Sequence, residues 1–351
     1  MCKNDNNSNQ EAKSSPFAHY WSNEKSTIVQ TVTGGLVLFV FLMTWFASIG
    51  SPVLSLLFMI QGKYTPVLLM VILTLMAYLP WEKGPVSGIV SAFAQFNSLY
   101  YQKCSVVFES KESLPDKADD NKREQRPKLY AFHPHGAFCM GWSVLFCSKI
   151  MDEGRVRFVF SPVLYASPLF RLWCRLVGRP GSASKASMIG YMRDKKKGRP
   201  DHLALPPGGF EEATLSCRGR DRVYIKKRVG FVKLALQNGY NVVPVYTFGE
   251  HQTYANVQGF WKLRLWLNNL GFPAIVIFGS WFFPLLPKRH SSGLKVVVGD
   301  PIVLPTIPNP TREDVKLWHD KYVAALVRLF EEHKAEHYGP ELAKTAKLEL
   351  W

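Results

Sequence analysis

Leu129-Tyr130-Ala131-Phe132-His133-Pro134-His135-Gly136 joins an apolar run to two imidazoles, a proline and a glycine. Proline fixes its own φ and disfavours helix at the residue before it, so His133 is expected to be extended and the segment reads as a strand running into a turn. In extended chain, residues two apart share a face. Gly136 lacks a Cβ and can take a positive φ, which lets a substrate carbonyl or a second backbone segment come close. Histidine has the side-chain pKa nearest neutrality, which suits it to removing a proton from a hydroxyl. The same residues also fit a plain strand end with two hydrogen-bonded imidazoles, so the choice rests on the rest of the chain.

Around this segment, strand-like runs recur at Leu129–His133, Val156–Phe160, His202–Leu205, Asn241–Phe248, Ala274–Phe278 and Lys295–Val298. Between them, Gly141–Met151, Ser167–Val177, Gly230–Gln237 and Thr311–Lys334 carry apolar residues at helical spacing. This alternation predicts an α/β domain with a mixed, mostly parallel sheet flanked by helices. The last helix is the best defined, with a capping-box variant at Thr311 and Asp314 and an apolar stripe of Val315, Trp318, Tyr322, Leu326 and Phe330.

Charge and hydropathy bound the remainder. The chain has 351 residues with 43 Lys+Arg against 27 Asp+Glu, a net charge of +16, and the basic residues concentrate between Lys185 and Arg228. Nucleic acid, anionic headgroups and a phosphorylated cofactor all satisfy such a surface. Toward the N-terminus no charged residue occurs from Ser26 to Gly62, nor from Tyr64 to Trp81. A membrane crossing needs about 20 apolar residues. Thr31–Phe46 followed by Val53–Ile60, with a turn or kink at Gly50-Ser51-Pro52, and then Pro66–Leu79, therefore read as two passes or a transmembrane helical hairpin.

The expected organisation is a disordered cytosolic tail over 1–26, the hairpin over 27–81, a membrane-proximal segment and charged loop over 82–127, and the catalytic domain over 128–351. Basic residues flanking the hairpin put both of its ends on the cytosolic side. The six cysteines form no C-x-x-C pair and no dense framework, so reduced thiols are expected.

Pro206-Pro207-Gly208-Gly209-Phe210-Glu211-Glu212 supplies a second candidate site. Consecutive glycines expose N–H groups able to hold an oxyanion or a phosphate oxygen, and Glu212 could orient an imidazole. A strand-to-helix turn with Glu212 near the helix head fits equally. Arg228, Gly230, Phe231 and Lys233 open an amphipathic helix whose head could receive phosphate or serve only packing. Val243–Phe248 reads as a buried strand leading to Gly249 and the carboxylate of Glu250. His133-x-His135 and His333-x-x-x-His337 have metal-ligand spacings, but the first lacks further strand-end ligands and the second carries Lys334 where a glutamate is needed. No metal is expected.

Taken together these blocks resemble the diacylglycerol acyltransferase type-two family, which includes monoacylglycerol and wax-alcohol acyltransferases. The resemblance rests on Tyr130–Gly136, Pro207–Glu212, Arg228–Leu236, Val243–Glu250, Gly299–Ile302 and His319-x-x-Tyr322, in family order, and covers roughly Ala92–Trp351. It implies a glycerolipid acyltransferase-like fold and transfer of a fatty acyl group from acyl-CoA to the hydroxyl of diacylglycerol. It places the protein in the endoplasmic reticulum membrane and at lipid droplets. Acyl-CoA is then a co-substrate, with no other cofactor. Monoacylglycerol or a long-chain alcohol is the alternative acceptor. A non-catalytic lipid-binding scaffold is the rival of a different class, a nucleic-acid partner is not expected, and a homo-oligomer stays open.

In this reading His135 is the base and His133 its support. Glu212 is the charge partner, with N–H groups near Gly136 or Gly208 and Gly209 facing the oxyanion. Pro134, Arg228, Gly230, Phe231, Lys233 and Glu250 contribute to substrate binding. Related glycerol-phosphate acyltransferases carry an aspartate five residues after their histidine, whereas Met140 stands there in this chain. Val229 and His251 depart from the family's usual lysine and asparagine.

Overall fold

The computed structural model describes residues 18–23, 26–81, 83, 85–116, 126–194, 200–270 and 274–351. Its main sheet has eight strands in the order Ala18–Asn23, Cys104–Phe108, Leu294–Val298, Asn241–Phe248, Lys128–His133, His202–Leu205, Val156–Phe160 and Pro180–Ser182. Lys128–His133 lies near the middle, buried along its whole length and parallel to both neighbours. A strand covered on both faces needs a continuous apolar run, which Leu129–Phe132 provides. The pairings between Asn241–Phe248 and Leu294–Val298, and between Cys104–Phe108 and Ala18–Asn23, are antiparallel, and the other five are parallel. This is the mixed, mostly parallel sheet expected.

Register decides what meets at the carboxyl edge. Ala131 pairs with Leu205, and His133 pairs with Tyr246. Three parallel strands therefore end side by side, and the turns beginning at Pro134, Pro206 and Gly249 emerge together. In open α/β sheets this edge is where ligands bind.

Several expectations change. Only Ile277–Phe278 of the run Ala274–Phe278 is a strand, and it pairs with Ala255–Asn256 in a separate ribbon outside the main sheet. Gly141–Met151 divides into the helices Met140–Phe146 and Lys149–Glu153. Within the stretch read as a disordered tail, Ala18–Asn23 is the edge strand, while residues 1–17 and 24–25 lie outside the described residues. So do 117–125 of the charged loop and Lys195–Lys197 of the basic run. Arg312–Tyr338 forms the long closing helix, and its capping box pairs Asp314 N–H with Thr311 Oγ1 (3.1 Å) and Thr311 N–H with Asp314 Oδ2 (2.9 Å).

The apolar N-terminal region is a helix over Ile28–Ile60, continuous through Pro52, then Gln61, Gly62 and Lys63, then a helix over Tyr64–Tyr78. Among the described residues, Ile28–Ser48 alone is long and apolar enough to cross a membrane, and Gly50–Ile60 and Tyr64–Tyr78 are shorter apolar pieces. Both helices dock on the helix Pro168–Val177 through polar contacts at helix ends. Ser48 Oγ accepts the N–H groups of Leu169 (3.0 Å) and Phe170 (3.1 Å), two donors that have no partner within their own helix. Arg175 Nη1 donates to the carbonyls of Ala77 (2.9 Å) and Leu79 (2.8 Å) at the end of Tyr64–Tyr78.

Ser48→Ala removes one acceptor shared by two N–H groups. It should cost about 0.5–2 kcal/mol, read as a lower unfolding temperature of the detergent-solubilised protein. An unchanged midpoint would show that these donors find water instead.

Candidate active site

His133 ends its strand with 0% of its surface exposed, and Glu212, on the helix Gly209–Leu215, is 1% exposed. A buried carboxylate is tolerated only where donors meet it. Glu212 Oε1 accepts the N–H of His135 (2.6 Å), and Oε2 accepts the N–H of Tyr224 (2.8 Å). Nδ1 of His133 lies 3.2 Å from both oxygens. An ionised carboxylate only accepts, so His133 carries its proton on Nδ1 and leaves Nε2 as an acceptor. That Nε2 is buried without a hydrogen-bond partner among the described residues.

His135 is half-buried and oriented differently. Its Nδ1 bonds the carbonyl of Gly136 (2.9 Å), so the proton sits on Nδ1 and the Nε2 lone pair is available. Burial lowers its pKa from the ordinary 6.5, opposed by the Gly136 carbonyl and the charge of Glu212. The ring is thus neutral and basic at neutral pH. Glu212 therefore holds His133 by its ring and His135 by its backbone.

Glu250 takes a structural place. Its oxygens accept the N–H groups of Met140 (2.9 Å) and Gly141 (2.8 Å) at the head of Met140–Phe146. Burial pushes its carboxyl up to about 7 despite these two bonds. A carboxylate thus stands beside position 140 after all, supplied by another strand end and bound to backbone. Gly136 has φ +57°, and a Cβ there would lie 2.5 Å from Glu250 Oε1. Pro134 spans the two imidazoles, joined to His133 by a cis peptide bond.

The structure brings together His133, Pro134, His135, Gly136, Gly208, Gly209, Glu212 and Glu250. Gly209 N–H donates to Pro206 O (3.3 Å), which removes it from the oxyanion role. Arg228 borders this group, but its guanidinium is ion-paired with Glu211, lies over the Tyr224 ring (5.2 Å) and donates to Gly208 O (3.4 Å). Its charge is therefore matched within the protein. Gly230 and Lys233 are exposed at the head of their helix. Phe231 packs on Tyr322 (5.0 Å), whose ring is 6.2 Å from His133, so it reaches the site through Tyr322. His251, the departure after Glu250, lies 3.2 Å from the buried Asp221, which also accepts the hydroxyls of Tyr246 (2.7 Å) and Tyr338 (2.8 Å). His333 bonds Glu109 (3.1 Å), while His337 packs against Tyr338 (4.9 Å).

Two contributors escaped sequence reasoning because they act through backbone. One is the Tyr224 N–H on Glu212. The other is the C-terminal strand Leu348–Leu350, parallel to Asp221–Val223. Beyond it, Trp351 N–H donates to Val223 O (2.9 Å), and Trp351 O accepts the N–H groups of Ile225 (3.0 Å) and Lys226 (2.8 Å). These bonds fix the segment that carries the Tyr224 donor.

The family profile described as Diacylglycerol acyltransferase matches residues 94–350, which include every residue of this site. The chain belongs to the diacylglycerol acyltransferase family. It is 35% identical over 241 residues to Diacylglycerol O-acyltransferase 2-like protein 6 of Mus musculus, covering 62% of this chain and 68% of that protein. It is 30% identical to Diacylglycerol O-acyltransferase 2 of Homo sapiens (62% and 59% covered) and 32% identical to 2-acylglycerol O-acyltransferase 1 of Mus musculus (61% and 67%). The chain thus spans between 59% and 68% of the length of these three relatives. Among solved structures, the 1-acyl-sn-glycerophosphate (LPA) acyltransferase PlsC of Thermotoga maritima is similar with a TM-score of 0.41 and 17% identity, over 82% of this chain and 99% of that one.

A Cβ at Gly208 would lie 1.9 Å from Glu212 Oε2, whereas one at Gly230 meets nothing within 4 Å. Gly208→Ala should therefore lower the unfolding midpoint, by the equivalent of roughly 1–3 kcal/mol, while Gly230→Ala leaves it within about 0.5 kcal/mol. Equal midpoints would contradict the close packing of Glu212 on this turn.

Proposed function

We propose that the protein is an acyl-CoA-dependent O-acyltransferase that transfers a fatty acyl group to the hydroxyl of diacylglycerol, forming triacylglycerol. His135 Nε2 accepts the hydroxyl proton as the acceptor oxygen attacks the thioester carbonyl. The carbon–sulfur bond then breaks, and the CoA thiolate recovers that proton from the imidazolium. The negative charge of Glu212 favours the imidazolium formed in between, and His133 fixes the position of that carboxylate. Acyl-CoA and the acceptor are the partners, with acyl-CoA as co-substrate and no other cofactor.

One observation carries this reading. Trp45, inside the long apolar helix, packs against Phe138 (6.2 Å), three residues beyond His135. The half-buried imidazole is thus three residues from a ring seated on the helix suited to the bilayer, where a hydroxyl-bearing lipid resides. We place the protein in the endoplasmic reticulum membrane with its catalytic domain facing the cytosol, and at lipid droplets. The likeness to 2-acylglycerol O-acyltransferase 1 supports monoacylglycerol as a second acceptor, with a long-chain alcohol as the other alternative.

Membranes carrying the protein, given labelled oleoyl-CoA with diacylglycerol, monoacylglycerol and fatty alcohol in parallel, should form labelled triacylglycerol fastest. His135→Ala should lower that rate by roughly 10² to 10⁴ while the protein stays in the membrane fraction. Full activity in this variant ends the base assignment.

The pH profile is a separate check. The ring is basic above its pKa and loses activity as pH falls through it, and burial has moved that pKa down. The acid limb of kcat/KM should therefore lie below 6.5. A limb above that value would mean another group limits the rate.

A further inference from the structure

From His251 to Gly299 the sequence holds no aspartate or glutamate, although 27 occur in the chain. Much of this stretch forms a surface of unusual polarity. In the helix Trp261–Asn269 the polar side chains of Arg264 and Asn268 point into the protein. Arg264 donates to the carbonyls of Ala274 (2.8 Å) and Val257 and to Asn256 Oδ1 (3.0 Å). Asn268, one turn on, donates to Thr214 Oγ1 (2.8 Å) and accepts from Ala274 N–H (3.0 Å). Leu263 and Trp266 face outward, and Phe260 (81% exposed), Phe278, Trp281 (89% exposed) and Phe282 of the same stretch are exposed as well. A helix at a water boundary normally turns its apolar face inward, and an apolar patch of this extent marks an interaction site.

The patch is continuous with the hairpin. Phe283, next to Phe282, packs its ring on Phe39 at 5.2 Å. Phe39 lies near the middle of the apolar span Ile28–Ser48. The loop is held there by Gly279 N–H to Pro284 O (2.8 Å), Ser280 N–H to Leu286 O (2.7 Å) and Tyr254 Oη to Leu285 O (2.7 Å). A loop seated against mid-span sits at the depth of hydrocarbon rather than of water.

We propose that this face, made of the Trp261–Asn269 helix, the Ile277–Phe278 strand and the Trp281–Phe282 tip, is a second bilayer-contact surface, by which the catalytic domain is partly embedded beside its hairpin. Tryptophan and phenylalanine suit the interfacial and acyl-chain layers, and exposed Lys262 and Lys288 at the margins suit lipid phosphates. The inference rests on the hairpin lying in the membrane and is independent of the reaction catalysed.

The test uses the full chain in phosphatidylcholine vesicles, with Cys2 and Cys217 replaced by serine. Cys104, Cys139, Cys147 and Cys174 are buried, and burial pushes the thiols of Cys104 and Cys147 up to about 12, so they resist labelling. Single sites Trp266→Cys and Trp281→Cys receive an environment-sensitive fluorophore. Leu68→Cys, exposed on the hairpin, and Glu341→Cys, exposed near the C-terminus, serve as references. Labels at 266 and 281 should be quenched by a nitroxide on lipid acyl chains, as at 68, and be several-fold less accessible to aqueous iodide than at 341. Iodide access like that at 341, with 68 still lipid-quenched, overturns this inference and leaves the hairpin reading standing. Loss of lipid quenching at 68 as well overturns both. Protection at 266 and 281 from both quenchers, relieved by diluting protein in lipid, assigns the face to a second copy of the chain and also overturns it.

Discussion

A single buried carboxylate organises this molecule. Glu212 gathers the His133 ring, the His135 backbone and the Tyr224 backbone, so its own helix is joined to two other segments of chain, the turn at His133–His135 and the stretch at Tyr224. Removing a charge from water costs several kcal/mol, so the arrangement is stable only when all three segments are in place. Site geometry and folding are therefore the same requirement here. The parallel strands set the turns side by side, and the C-terminal strand fixes the segment that supplies the Tyr224 donor.

Two carboxylates divide the labour at this site. Glu212 meets the imidazoles, and Glu250 closes the head of the helix that follows them. Methionine is accommodated at position 140 because Glu250 uses only its backbone N–H, while its side chain is buried in the core. Gly136 and Gly208 leave room for these carboxylates to approach the backbone, with 2.5 Å and 1.9 Å to the nearest oxygen from an added Cβ.

The apolar surfaces follow a related logic. The hairpin docks through Ser48 and Arg175, which satisfy helix ends of opposite sense, and leaves its outer faces uncovered among the described residues. The helix Trp261–Asn269 turns Arg264 and Asn268 inward to protein partners and leaves Leu263 and Trp266 exposed. In both cases the polar groups meet protein partners, while large apolar side chains stay exposed.

Much of this was legible in the residues. Apolar runs ending in proline or glycine marked the central strands, the Thr311/Asp314 box marked the last helix, and the charge-free stretches 26–62 and 64–81 marked the apolar helices, because periodicity, backbone restriction and hydropathy are local properties. The motif blocks also pointed to His133, His135 and Glu212 as one site. Locality failed for the short edge strands at Ala18 and Pro180, which owe their form to a neighbouring strand, and for Ala274–Phe278, which found no place in the main sheet. Only the tertiary structure decided that Glu212 takes the His133 ring but the His135 backbone, that Arg228 is neutralised by Glu211, and that Tyr224 and Trp351 matter through main-chain groups. Hydrogen-bond partners and burial depend on distances between residues remote in sequence, which no local pattern encodes.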